Sequence, residues 1–443
     1  MFEFPKKLYT DVRVENVFET NIRVTNGKME DIKKRQYKAA FIRIYDGSKW
    51  YNTATTDVNS IQENIDRFAE HVKDVNLSTN PVVKKFEVNE GKYLNFSGEK
   101  SVFTVPMEKK IEFLKKFYPT NEYIKLWSAR YVEKRVEKEF YSSKGANLKF
   151  DTQNIGFSVR FEMTNGEKRF SETYDGYGTT FSELEKENVE KMHEKLRKST
   201  DFLKNAVEVK PGKYTVVLSQ VAAGVFAHES FGHKSEADFM IGDKKMMEEW
   251  EIGKKVGSEI LSIVDDGNEI GMGYTPFDDE GTKAKKTYLI KNGILSGRLH
   301  SAQTAAALYE KPTGNARAVS FEYEPIVRMT TTYIEPGDKT FEELISDIKE
   351  GIYVETVKYG TGMSTFTIAP SLAYMIRNGK LAEPVKISVV TGSVFEALYN
   401  IEGLSNDFKI LSFVTGGCGK FEQYPLPVGF GGPHVRVRTL NVQ

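Results

Sequence analysis

The sequence predicts an α+β protein of two domains, and three features of its 443 residues lead there. The chain exceeds the size at which a single hydrophobic core usually stops growing. Its first half alternates strand-like and helix-like apolar periods, which suits a mixed α/β-type sheet flanked by helices. Its second half is a series of short strand-like runs broken by Asp-Gly and Asn-Gly turns, with one small-residue helix near its start. The Pro211-Gly212 pair punctuates the chain between these regions, so the expected domains are residues 1–208 and 209–443.

Taken in order, residues 12–24 and 39–45 read as strands, the second closed by Asp46-Gly47. Ile61, Ile65, Phe68 and Val72 recur at helical spacing and leave His71 in solvent beside the stripe. Residues 107–140 carry Lys/Glu-rich helical patterns. Residues 157–163 and 168–174 form a hairpin across Asn165-Gly166. Thr180-Phe181-Ser182-Glu183 is a capping box, read as opening one charged helix to about residue 205, with Leu184, Val189, Met192, Leu196 and Leu203 inward and His193 at its surface. A strand over 214–218 leads into a helix from Gln220 to about His233. Residues 260–264, 286–290, 326–333, 386–390 and 435–442 follow as strands, and Thr340-Phe341-Glu342-Glu343 opens a further helix burying Phe341, Leu344, Ile345 and Ile348.

Composition narrows the function. Lys plus Arg and Asp plus Glu each number 62, so no net field favours a polyanion, and direct nucleic-acid binding is not expected. The single cysteine, Cys418, has no internal disulfide partner and suits a reducing compartment. Residues 1–7 contain no apolar h-region, and no run approaches the roughly 18 apolar residues of a membrane span. The expectation is a cytoplasmic protein with no membrane association.

One segment carries chemistry: His228-Glu229-Ser230-Phe231-Gly232-His233. Two imidazoles offer neutral nitrogen ligands, and the carboxylate beside the first can reach a metal-activated water. That is the equipment of a zinc peptidase: the ion lowers the pKa of water to about 7 and polarises the scissile carbonyl, while Glu229 acts as general base and then acid. The spacing is unusual. Residues five apart lie about 140° apart around an ideal helix, because each residue advances about 100°. The two rings converge only if the helix bulges or ends between them, which predicts a broken or π-like turn at residues 230–232. The plain alternative is a pair of helix histidines satisfied by neighbouring groups.

A catalytic zinc needs a third protein ligand and an open position. Cys418, flanked by glycines in Thr415-Gly416-Gly417-Cys418-Gly419-Lys420, is the leading candidate, although a lone cysteine is commonly a small buried hydrophobe. Asp238 competes as a ligand or as a partner that orients an imidazole, and His300 and His434 are weaker rivals.

With these pieces in this order the chain resembles the TldD/PmbA family. The matching pieces are the His-Glu-x-x-x-His segment with Asp238, then Asp265-Asp266-Gly267 and Cys418-Gly419-Lys420. Phe277-Asp278-Asp279-Glu280-Gly281, Pro312-Thr313-Gly314-Asn315, Gly351-Ile352-Tyr353 and the run from Pro427 to Pro433 agree as well. The likeness covers residues 213–443 and is looser before them. It implies a TldD-type metallopeptidase, since PmbA (TldE) paralogues lack the histidine motif. It also implies Cys418 as third ligand, one zinc per subunit, and short or unfolded peptides cleaved at the interface of a homodimer or of a heterodimer with a PmbA/TldE-like paralogue. His434 departs from the family pattern, and the DNA gyrase connection in the family's older name has no basic surface behind it here.

Other constellations are weaker. Gly429, Gly431 and Gly432 are read either as a glycine-rich turn or as a bare edge beside which a peptide lies as an added strand. Asp278-Asp279-Glu280 is read as an acidic surface turn in preference to a second cation site, and Arg317 as an exposed arginine or a carboxylate clamp. Gly176-Tyr177-Gly178 lacks the third glycine of a dinucleotide site. Two other functions stay open: a non-catalytic, chaperone-like peptide binder with a structural metal or none, and a closed four-ligand structural zinc site.

Overall fold

The computed structural model describes residues 2–72 and 79–443. The fold is α+β, with the sheet-rich part towards the C-terminus. β1 (Tyr9–Thr25) and β2 (Lys28–Tyr45) form a long antiparallel hairpin across Asn26-Gly27, whose φ angles of 47° and 79° are what such a two-residue turn demands. β3 (Trp50–Thr55) extends the sheet on the β2 side. Short β4 (Glu90–Tyr93) lies at the opposite margin. β5 (Ile124–Ser142) pairs with the other edge of β1, followed antiparallel by β6 (Asn147–Asn165), whose outer edge is shared by β4 and β7 (Lys168–Gly178). The predicted hairpin turn at Asn165-Gly166 joins β6 and β7.

Two helical expectations are corrected in this half. Residues 107–140 are helical only over Met107–Lys115, and from Ile124 onward they belong to β5, a central strand. Its charges hid the strand period because they are buried in pairs. The Lys110 ammonium donates to Glu133 at 2.5 Å, with the Tyr131 hydroxyl on the same carboxylate at 2.7 Å, and Arg135 donates to Asp151 at 3.2 Å. Paired charges survive burial, so polar residues stand where alternation calls for apolar ones. The capping box at Thr180 is present, but it opens only Phe181–Leu184; a second helix, Val189–Asn205, starts on its own Asn188 cap.

In the second half, the Gly212–Leu218 strand pairs antiparallel with Val435–Val442 and parallel with Glu350–Val354, at the middle of a ten-stranded sheet. A six-stranded sheet contains Ile263–Asp266, Thr331–Ile334 and Gly429–Gly432. The main apolar core of this half includes Phe226, Phe231, Trp250, Val354 and Met329, and Cys418 is part of it. The Gln220–Ala227 helix runs through that core, which is why its residues are small: Ala222, Ala223, Gly224 and Ala227 let it approach strands closely.

The acidic run Asp278-Asp279-Glu280 is not the surface turn its composition suggests, since all three residues are buried where the two halves meet. Asp279 receives Lys138 of β5 at 2.5 Å and the Ala318 amide at 2.8 Å, and burial is outweighed by Lys138 and Arg13, which hold its carboxyl down at about 2. Glu280 accepts from Arg43 of β2 at 3.0 Å, and Arg43 also meets Asp11 of β1 at 2.9 Å. The run is a latch between sheets. Arg317 is likewise buried, its guanidinium donating to the Met329 and Pro427 carbonyls. Among the described residues no helix is long and apolar enough to cross a membrane.

Candidate metal centre

The Gln220–Ala227 helix starts on the Ser219 side chain, which accepts from the Ala222 amide, and at His228 it changes pitch. Residues His228–Gly232 form a single π-helical turn, and the His233 amide donates to the His228 carbonyl, five residues back. One extra residue per turn brings residues five apart nearly above one another, which the α geometry forbids. The two rings accordingly lie with centroids 5.0 Å apart at 80°.

Gly232 matters here for space. Its φ of −56° is ordinary, but a Cβ would stand 2.0 Å from the sulfur of buried Met329. Gly224 is under a stricter limit, because its Cβ would lie 2.7 Å from the Gly431 amide nitrogen and 2.8 Å from the Gly431 Cα, which are backbone atoms. Alanine in a helix ordinarily gains about 1 kcal/mol over glycine. Gly224→Ala is expected to reverse that sign and destabilise by about 1–3 kcal/mol through overpacking, read as a lowered thermal unfolding midpoint.

The third member of the cluster arrives from the far end of the chain. Cys418 opens the Cys418–Lys420 strand, which pairs with Gln423–Leu426 as a small hairpin; it is 3 % exposed, and its Sγ lies 3.5 Å from the His233 Nε2. One donor atom from each of His228, His233 and Cys418 falls within 4.8 Å of the others, and no fourth His, Cys, Asp or Glu joins that group among the described residues. Two ligands of a tetrahedral zinc, one sulfur at about 2.3 Å and one nitrogen at about 2.0 Å, stand about 3.5 Å apart. Among the described residues, buried His228 Nδ1 has no hydrogen-bond partner. The spacing, the N,N,S chemistry and this orphaned atom fit a metal ion.

Electrostatics sharpen the cluster. Burial pushes the Cys418 thiol up, but the facing imidazoles of His228 and His233 outweigh it and hold the thiol well below its usual range. Burial pushes His233 down, and Glu236 with Cys418 more than reverses that. Glu229, next to His228, is half-buried, and the Val357–Gly362 strand passes over it. A Cβ on Gly360 would be 3.2 Å from the Glu229 Cγ, and one on Gly362 would be 2.8 Å from its carbonyl oxygen.

The remaining sequence candidates lie elsewhere or do other things. Asp238 touches neither imidazole; its carboxylate receives Lys420 at 2.7 and 2.8 Å. The partner of His233 is Glu236, whose Oε2 is 3.2 Å from Nδ1. Its position three residues after the histidine was a usable signal, whereas the burial of Lys420 was not visible in the sequence. His300 meets Glu310 and Thr304, and His434 meets Asp407 and Tyr353. Gly429, Gly431 and Gly432 do not offer a bare edge. Their strand is paired on both sides, parallel to Thr331–Ile334 and antiparallel to Lys409–Leu411, and its small residues admit the Gln220–Ala227 helix.

Comparison with known proteins gives the family. Residues 211–443 match the model of the PmbA/TldA metallopeptidase C-terminal domain, and residues 10–74 match that of metallopeptidase domain 1. The chain belongs to the PmbA/TldD metallopeptidase family. A metalloprotease of Methanothermobacter thermautotrophicus is 30% identical over 98% of this chain and 95% of its own length. A zinc metalloprotease TldD homolog of Saccharolobus solfataricus is 28% identical over 100% and 99%. TldE of Thermococcus kodakarensis shares the fold with a TM-score of 0.76, at 15% identity over 98% of this chain and 96% of that one.

Proposed function

We propose that this chain is a zinc-dependent peptidase in which His228, His233 and Cys418 hold one zinc ion per subunit and Glu229 is the general base. The observation that carries it is that three zinc-type donors lie within 4.8 Å of one another, with Glu229 next to the first of them in the chain. Three protein ligands are the number found in open catalytic zinc sites, and closed structural sites use four. A bound zinc supplies a Lewis acid that acidifies water and polarises a carbonyl. Glu229 takes the proton from the attacking water and returns it to the leaving nitrogen as the peptide C–N bond breaks.

Short or unfolded peptides are the substrate class that suits the surroundings. The Val357–Gly362 strand ends the ten-stranded sheet, and among the described residues it pairs only with Thr365–Pro370. Lys358, Tyr359 and Thr361 are exposed along it, and its Gly360 lies against Glu229. An extended peptide added to this edge gains main-chain hydrogen bonds without sequence preference and passes the general base. The working assembly is a homodimer or a heterodimer with a PmbA/TldE-like paralogue, and the working compartment is the cytoplasm.

Metal removal tests the reading. The zinc-loaded protein, alone and mixed with its paralogue, is expected to cleave an unstructured peptide, to lose that activity in a strong chelator, and to regain it when zinc is restored. Cleavage that survives complete metal removal, or a fully loaded protein that cleaves nothing in either assembly, would refute it.

A further inference from the structure

Two ligands of the candidate centre come from chain segments 185 residues apart, and something must hold them in mutual register. The contacts behind His233 and Cys418 converge on Glu236. This carboxylate is 0 % exposed, and its Oε2 lies 3.2 Å from the His233 Nδ1 and 3.1 Å from the Lys420 Nζ. Lys420 belongs to the same three-residue strand as Cys418, two positions along, and both side chains are buried. Its ammonium also meets the Asp238 carboxylate at 2.7 Å and the Val327 carbonyl at 2.9 Å, and sits over the Phe239 ring at 4.2 Å.

We infer that Glu236 is a positioning residue that ties the two ligand-bearing segments together, fixing the His233 ring by its Nδ1 and the Cys418 strand through Lys420. Three physical points support it. A carboxylate on Nδ1 selects the tautomer that leaves Nε2 unprotonated, and Nε2 is the nitrogen that faces the Cys418 sulfur. A fully buried carboxylate is costly unless paired, and the Lys420 ammonium at 3.1 Å supplies a buried countercharge to Glu236, so a shift of either ligand segment breaks that pair. The segment bearing Glu236 is itself anchored, since the Ser235 carbonyl accepts from the Leu299 amide at 2.9 Å and the Ala237 amide donates to the Leu299 carbonyl at 3.1 Å. Asp238 belongs to the same device at one remove, clamping Lys420 from its other side.

This inference rests on the metal-site assignment proposed above but does not depend on the reaction. Its test therefore reads metal affinity and coordination. Glu236→Gln keeps size and one acceptor while removing the charge, and Lys420→Met removes the cation while keeping length. Each is compared with wild type in a zinc competition titration against a chromophoric chelator and in the visible spectrum of the cobalt-substituted protein. The expected result is an affinity loss of about 10- to 100-fold for Glu236→Gln, with weakened or shifted thiolate-to-cobalt bands, and a comparable loss for Lys420→Met. Thermal unfolding of the metal-free proteins is measured alongside, so that a variant that fails to fold is recognised and judgement passes to the other. Wild-type affinity and an unchanged cobalt spectrum in a folded variant overturn the inference, even if that variant unfolds earlier, because a merely structural contact behaves that way. A wild-type protein that binds zinc tightly but hydrolyses no peptide, alone or mixed with its paralogue, refutes the proposed reaction and leaves this result standing. A wild type that binds no zinc or cobalt overturns both.

Discussion

Glu229→Gln is expected to lower peptide turnover by about 100- to 10,000-fold, the range general acid–base catalysis commonly supplies, with zinc content and fold unchanged. The amide is nearly isosteric with the carboxylate, so the contact with Gly360 survives and the Val357–Gly362 strand keeps its place. What is lost is the ability to hold a proton between water and the leaving nitrogen. Because the three donor residues are untouched, metal analysis distinguishes this variant from one that has lost its ion. Retained turnover with retained zinc would remove Glu229 from the mechanism and point to a peptide binder in place of an enzyme. The decisive measurement is kcat under saturating peptide together with zinc per subunit on the same sample.

Cys418→Ser is expected to have the other large effect, on the metal itself. A serine hydroxyl stays protonated where the thiol, with two imidazoles facing it, is held well below its ordinary range. The site then loses its soft anionic donor, and two imidazoles remain of a three-ligand set. Loss of an outer partner typically costs 10- to 100-fold in metal affinity, so loss of this direct donor is expected to exceed about 100-fold. Competition titration measures it, and cobalt substitution should show the thiolate band gone. The small change in volume leaves the core around Leu426 and Met329 nearly intact, so unfolding of the metal-free protein should move little. Unchanged zinc affinity would remove Cys418 from the ligand set.

The turn in the His-Glu-x-x-x-His segment was the most legible part of this chain. His-Glu-x-x-x-His spacing contradicts a regular helix, and the contradiction itself predicted the π turn that His228–Gly232 forms. Hairpins at Asn-Gly pairs and helix starts at capping boxes were readable for the same reason: local geometry demands particular residues at particular positions. Legibility failed where long-range partners paid for local irregularity. β5 reads as helix because Glu133 and Arg135 occupy inward positions, where Lys110 and Asp151 of other elements pair with them. Asp278-Asp279-Glu280 reads as a surface turn because its cationic partners are Lys138, Arg13 and Arg43, more than a hundred residues earlier. The glycines of Gly429–Gly432 suggested a free edge, and they are instead the floor on which the helix before His228 rests.

Residue order alone determined that two imidazole donors sit on a distorted turn and that a carboxylate accompanies them, since all of that is encoded within six consecutive positions. Tertiary structure alone decided that the Cys418 sulfur meets the His233 Nε2 and that Glu236, not Asp238, backs the imidazole. It also decided that the exposed edge near Glu229 belongs to Val357–Gly362. Turn geometry is a property of neighbouring residues, whereas these pairings depend on how two sheets and one buried helix share a core, and no short window of sequence contains that information.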